Sequence, residues 1–191
     1  MDKIYIQDGW FSYKEAFFSQ EESEILFHTL LTEVPWELGE IKLFGKKHVI
    51  PRLQAFYGDE GNQYSYSGKE LQRNDWHPLL LELKYKVEQA LNSDFNVCLA
   101  NLYRDGQDSN GWHADNEKSL GKSPLIASLS LGAERLFKLK HNTTRETIDF
   151  NLASGSLFVM GGALQTNWKH TLPKTSKKVS PRINLTFRRI V

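Results

Sequence analysis

From about Asn96 to the C-terminus the chain is a succession of short runs in which apolar and polar residues alternate. A two-residue period puts successive side chains on opposite faces, so each run predicts a strand. The runs cover residues 97–103, 125–131, 135–140, 145–152, 156–160, 168–172 and 182–188, and turn formers separate them: Asp105-Gly106, Asn142, Gly155, Gly161-Gly162 and Pro173. Many short strands with regular punctuation predict an antiparallel sandwich or barrel. The first half shows a helical period instead. Ser19-Gln20-Glu21-Glu22 has capping-box spacing, and Leu26, Phe27, Leu30, Leu31 and Val34 follow as an apolar stripe that Pro35 closes. Leu80, Leu83, Val87 and Leu91 predict a second helix over about 75–92, with Pro78 in its first turn. Helices first and strands later make an α+β arrangement, with helices buttressing one face of a sheet.

The 191 residues fit one domain, and 40% hydrophobic with 12% aromatic content supports a packed core. No apolar run approaches the roughly 20 residues that span a bilayer, so no membrane partner is expected. The N-terminal stretch lacks the basic start, apolar core and small-residue cleavage site of a secretory signal. Cys98 is the one cysteine, so no internal disulfide forms, and a reducing interior is expected. Net charge is +1, but it is unevenly spread. Residues 1–100 carry 10 basic and 16 acidic side chains, whereas residues 101–191 carry 14 and 7. Acidic helices followed by a basic sheet account for this, and so does a second half that handles an anion.

Alternation in the last run sorts its residues into two sets. Ile183, Leu185 and Phe187 form an apolar face; Arg182, Asn184, Thr186 and Arg188 form the opposite one. Two guanidiniums beside an amide and a hydroxyl make a carboxylate or phosphate receptor, although a solvated polar face gives the same pattern. Asn101 and Tyr103 share a face of an earlier run in the same way. Just after it, His113 and Asp115 are one residue apart, and in extended chain both project to one side. Of the six histidines, His170 in a strand-like run is the best placed third donor. Two histidines and a carboxylate match the facial triad of non-haem Fe(II) oxygenases.

The runs Asn101-Leu-Tyr103, His113-Ala-Asp115-Asn-Glu117, Ser123-Pro-Leu-Ile-Ala-Ser-Leu-Ser-Leu-Gly-Ala, His170-Thr-Leu-Pro and Pro181-Arg-Ile-Asn-Leu-Thr-Phe-Arg188 together resemble the AlkB family, closest to its duplex-DNA repair members. The likeness extends from about residue 35 to the C-terminus. It implies a double-stranded β-helix, or jelly roll, over about 96–191, with helices and a nucleotide-recognition lid over about 1–95. It implies an Fe(II)- and 2-oxoglutarate-dependent dioxygenase that uses O2 to demethylate N-alkylated bases of the 1-methyladenine and 3-methylcytosine type, releasing succinate, CO2 and formaldehyde. His113, Asp115 and His170 would bind Fe(II). Arg182, assisted by Tyr103, would hold the distal carboxylate of 2-oxoglutarate, with Asn101, Asn184, Thr186 and Arg188 completing that pocket.

The resemblance also implies a base flipped out of duplex DNA. Phe44 beside Gly45 would be the finger that fills the gap, flanked by Lys42, Lys46, Lys47, His48 and Arg52. Tyr66 and His113 would sandwich the flipped base, and Tyr64 and Glu117 would bond its polar edge. Lys174, Lys177 and Lys178 would face phosphates. Two positions depart from the family pattern: Ala114 between the iron ligands, and Tyr66 where relatives carry Phe. A monomer is expected, in the cytoplasm of a bacterium in preference to a nucleus. Three other readings fit parts of the pattern: an RNA or protein oxygenase with the same chemistry, an inactive nucleic-acid-binding module, and a Zn hydrolase using the same ligands.

Overall fold

Two antiparallel sheets pack face to face in the computed structural model, which describes residues 1–43, 46–61, 65–66, 69–70 and 72–191; side chains of 41–43, 46–47, 65–66 and 69–70 are left aside. In chain order the elements are β1 (Ile4–Ile6), β2 (Gly9–Lys14), α1 (Gln20–Glu33), β3 (Glu37–Leu43) and β4 (Lys46–Gly58). Three two-residue strands follow, β5 (Ser65–Tyr66), β6 (Lys69–Glu70) and β7 (Arg73–Asn74), then α2 (Pro78–Leu91). The remainder is β8 (Val97–Tyr103), β9 (Asn110–His113), β10 (Ile126–Gly132), β11 (Arg135–His141), β12 (Thr147–Leu152), β13 (Leu157–Gly161), α3 (Leu164–Asn167), β14 (Trp168–Leu172) and β15 (Arg182–Arg188).

The major sheet runs β1-β2-β13-β10-β15-β8-β4-β3, with β7 added beside β4, and the minor sheet runs β12-β11-β14-β9. This is the antiparallel sandwich that the strand runs predict, in the jelly-roll form that the family resemblance implies. The α1 and α2 helices cover the outer face of the major sheet. Ser19 caps α1 as expected, its hydroxyl taking the Glu22 N–H while the Glu22 carboxylate takes the Ser19 N–H. Leu30 of α1 and Leu80, Leu83 and Val87 of α2 bury against Ala100, Leu129, Ile183, Leu185 and Phe187 of the sheet. A second core fills the space between the sheets, where Phe11, Leu99, Ile126 and Phe158 meet Phe137, Leu139, Leu152 and Trp168. The two cores explain why β15 alternates: its odd residues face the helices, and its even residues face the minor sheet.

The first half also contributes strands to the major sheet: β2 pairs with β13, and β4, which pairs with β3 on either side of residues 44–45, pairs with β8. The β1 and β2 strands have no counterpart in the strand runs read from the sequence. Pro51 tolerates its place in β4 because the β3–β4 ladder is irregular there, between Glu40↔Val49 and Leu38↔Leu53.

Candidate metal and co-substrate site

His113 ends β9 and His170 sits mid-strand in β14; the two are register partners in the minor sheet. Their ring centroids are 4.1 Å apart. Asp115, two residues past the strand end, is 1% exposed, and its backbone N–H is held by Gln165 Oε1 at 2.9 Å. The three potential ligand atoms lie within 4.8 Å of one another. Asp115 Oδ1 and His170 Nδ1 are buried with no hydrogen-bond partner among the described residues. Orphaned lone pairs of this kind are costly unless something accepts them, and a divalent cation does so. His113 Nδ1 donates to Gly111 O at 2.8 Å, which leaves the lone pair on Nε2.

Protonation favours the same use. Burial pushes His113 down, and it pushes His170 down to about 3, with His113 and Arg188 adding to the effect and Asp115 opposing it. Both rings are thus neutral, the form that ligates metal. Burial acts to raise the Asp115 carboxyl, but Arg188, then His170 and His113, outweigh it and bring it down to about 2. Arg188 donates from Nη2 and Nε to Asp115 Oδ2, at 2.9 and 3.2 Å.

The even face of β15 opens on the same cavity, of about 510 Å³ with its mouth included. Asn101, Tyr103, Arg182, Asn184, Thr186 and Arg188 all line it beside the three candidate ligands. Register explains this: Arg182 pairs with Tyr103 and Asn184 with Asn101 across β15 and β8. Arg182 is 2% exposed and donates from Nη2 to Ser130 Oγ at 2.9 Å, while its Nε has no partner among the described residues. Its guanidinium carbon lies 5.5 Å from the Tyr103 ring centroid. Burial pushes this arginine down to about 10, so the charge sits where an anion is strongly favoured. The donor set fits a divalent cation, and the guanidinium deep in the cavity fits a carboxylate.

Comparison with known proteins gives this geometry a family. A family model described as the 2OG-Fe(II) oxygenase superfamily matches residues 11–188. The bovine protein named DNA oxidative demethylase ALKBH2 is 39% identical over 185 residues, covering 91% of this chain and 66% of its own. Its human counterpart is 38% identical, covering 91% and 71%. The chain is an AlkB-type 2OG-Fe(II) oxygenase. The bovine Alpha-ketoglutarate-dependent dioxygenase alkB homolog 3 is also 39% identical, over 92% of this chain and 64% of its own. The oxygenase thus spans about two thirds of the length of these relatives. Among solved structures, OsALKBH1 superposes with a TM-score of 0.65 at 17% identity, over 97% of this chain and 100% of that one, which shows the shared fold.

Several residues that shape the oxygenase site are not among those singled out from the sequence, although the alternation Ser128-Leu-Ser130-Leu does put both serines on one face. Ser128 and Ser130 of β10 sit opposite Thr186 and Asn184. Ser128 Oγ accepts from Asn184 Nδ2 at 2.7 Å, and Thr186 Oγ1 donates to Asn184 Oδ1 at 3.0 Å, so Asn184 and Thr186 brace the cavity floor through each other. Arg135 is 4% exposed and donates to the carbonyls of Asp105, Asp108 and Pro173, tying the loop before β9 to the loop after β14. Those loops touch so closely that a Cβ at Gly106 would lie 2.5 Å from Thr175 O.

Arg52, expected among the basic residues that flank the finger for DNA contact, is buried instead. It is 3% exposed, donating from Nε to Asn101 Oδ1 at 2.8 Å and from Nη1 to Ser109 O at 3.2 Å. It lies on the face of β4 that carries Gln54, both turned toward the β8 amide. Lys174, Lys177 and Lys178 are exposed in the loop between β14 and β15. Glu117 is half-buried at the start of a 3-10 turn over Lys118–Leu120. Phe44, Gly45 and Tyr64 fall outside the described residues, and only the backbone of Lys46, Lys47 and Tyr66 is described. The remaining histidines lie elsewhere: His28 and His48 are exposed, His77 caps α2, and buried His141 pairs with Asp8.

Proposed function

We propose that this oxygenase repairs DNA by oxidatively demethylating N-alkylated bases such as 1-methyladenine and 3-methylcytosine. The single observation that carries the reading is one buried cavity holding His113, Asp115 and His170 together with the partly unpaired guanidinium of Arg182. The names of its relatives, DNA oxidative demethylases among them, supply the substrate class. When bound, Fe(II) with 2-oxoglutarate and O2 supplies the oxidising chemistry, which yields succinate, CO2 and formaldehyde.

The chain's residues do the rest. Two neutral imidazoles and the Asp115 carboxylate hold the metal, and Arg188 keeps that carboxylate ionised and aimed. Arg182 with Tyr103 would receive the distal carboxylate of the co-substrate, with Asn101, Asn184, Thr186 and Arg188 completing the pocket. Phe137 and Leu172 give the cavity an apolar wall that disfavours water there. The base leaves a duplex to reach this cavity; Phe44 and Gly45 fill the gap, Tyr66 and His113 stack on the base, and Tyr64 and Glu117 bond its edge. Lys46, Lys47, Lys177 and Lys178 meet backbone phosphates, and the protein acts as a monomer. No helix among the described residues is long and apolar enough to cross a membrane.

The test is formaldehyde release from matched single- and double-stranded oligonucleotides, each carrying one methylated base, with Fe(II) and 2-oxoglutarate. Turnover that requires both additives is expected. Turnover without 2-oxoglutarate would overturn the reading, and so would no release from any methylated strand. Asp115→Ala or His170→Ala should abolish turnover with the fold retained; full activity in either refutes the metal assignment.

A further inference from the structure

Asn101 Oδ1 receives two hydrogen bonds from β4, from Arg52 Nε at 2.8 Å and from Gln54 Nε2 at 3.0 Å. All three residues are buried, at 4%, 3% and 6% exposure. A guanidinium can only donate, so the Asn101 atom facing Arg52 must be the carbonyl oxygen. That fixes the amide, and Gln54 must then present its own NH2 group to the same oxygen. With Oδ1 held twice, the Asn101 NH2 group is turned away from β4, and Asn101 lines the cavity shared with Arg182 and the metal ligands. Gln54 is itself held in place by tight packing, since a Cβ at Gly39 of β3 would lie 2.7 Å from Gln54 Oε1.

We infer that Arg52 and Gln54 are positioning residues that lock the Asn101 amide with its two N–H donors toward the 2-oxoglutarate carboxylate. The inference rests on the reading of Asn101 as a co-substrate residue. Without the lock the amide can present either its oxygen or its nitrogen to the cavity, and an oxygen facing a carboxylate is repulsive. Co-substrate affinity is thereby tied to β4, the strand that the 44–45 segment joins to β3. Gln54 touches neither metal nor co-substrate and acts through Asn101 alone.

The experiment is a double-mutant cycle read by calorimetric binding of 2-oxoglutarate to the Mn(II)-loaded protein, with melting temperatures measured alongside. Asn101→Ala should raise Kd about tenfold, the loss of one charge-assisted hydrogen bond. Gln54→Glu, whose carboxylate accepts from the Asn101 NH2 and pulls it back toward β4, should raise Kd by a similar factor. Gln54→Leu adds no charge and should give a smaller loss in the same direction. In the Asn101→Ala background, Gln54→Glu should add less than a twofold effect. An undiminished effect in that background, or a Gln54→Glu Kd within twofold of wild type, overturns the positioning role. An unchanged Kd in Asn101→Ala overturns the reading of Asn101 itself.

Discussion

Arg188→Met removes the one guanidinium that contacts Asp115 and keeps the side-chain length. Both members of the pair are almost fully buried, with 4% and 1% of their side chains exposed, and the contact is made through two nitrogens at 2.9 and 3.2 Å. Breaking a buried pair by deleting one partner costs about 3–5 kcal/mol, because the other charge stays behind without compensation. A domain holds only about 5–15 kcal/mol in total, so this is a large fraction. For a chain of this length each kcal/mol moves the melting temperature by about 2–4 °C, which gives a drop of roughly 6–20 °C. The pH dependence has a definite sign. The folded Asp115 carboxyl is held at about 2, below its ordinary 3.8, so its contribution is complete above about 3.8 and is lost as pH falls toward 2. The gap between wild type and variant should therefore be widest at neutral pH and close in strong acid. A divalent cation restores the missing positive charge, so Mn(II) should raise the melting temperature of the variant by more degrees than that of the wild type. The assay is a set of thermal melts at several pH values, with and without Mn(II). A drop under about 3 °C at neutral pH, or equal Mn(II) shifts in the two proteins, would refute the claim that Asp115 depends on Arg188 for its charge.

Arg182→Met should raise the KM for 2-oxoglutarate at least tenfold with a smaller change in kcat, since it removes the buried cation but no metal ligand; steady-state kinetics over 2-oxoglutarate concentration check this. Asp108, whose carboxylate accepts three hydrogen bonds from Arg104, two from its guanidinium and one from its backbone N–H, is held below its ordinary value: burial raises it, but Arg104 outweighs burial. Asp108→Asn should lower stability above pH 4 and converge on wild type in stronger acid, as read by urea unfolding across pH. Phe44→Ala should weaken demethylation of duplex oligonucleotides far more than of single strands; equal losses would remove the finger from the mechanism. Lys177→Ala with Lys178→Ala should weaken DNA binding across all sequences and lower the salt slope by about 2, measured by fluorescence titration.

The parts of the site that the sequence exposes are those carried on a single element or on neighbours in the chain. Alternation in β15 places Arg182, Asn184, Thr186 and Arg188 on one face, and His113 and Asp115 need only an extended backbone between them. The helices are legible for the same local reason, down to the Ser19–Glu22 cap. What stays hidden depends on which strands become neighbours. Ser128 and Ser130 share a face by alternation, but only the β10–β15 pairing sets that face opposite Asn184 and Thr186. Gln165 lies in a four-residue helix too short to show a period. Arg52 reads as a surface cation because arginines are rarely buried and because four basic residues precede it; only the β4–β8 pairing turns it inward. The β1 and β2 strands escape notice because they are short and β1 is an exposed edge.

The charge asymmetry between the two halves of the chain now has a different physical meaning. Arg135, Arg182 and Arg188 of the second half are buried around or beside one cavity, and Arg52 of the first half joins them. Asp115 compensates Arg188, and Asp108 with backbone carbonyls surrounds Arg135, whereas among the described residues Arg182 meets the Ser130 hydroxyl and the Tyr103 ring and no carboxylate. Holding that cation away from water opposes folding, and the same cost is recovered when a carboxylate meets it. A site of this kind discriminates by charge more than by shape, because a neutral analogue of similar size leaves the guanidinium buried and uncompensated. The basic residues that the proposed function leaves for nucleic acid are exposed lysines, whose attraction to phosphates would be screened and salt-sensitive. Under the proposed function, co-substrate and DNA would draw on separate sets of cations, one buried and weakly screened and the other exposed. Raising salt should therefore weaken DNA binding long before it weakens binding of 2-oxoglutarate.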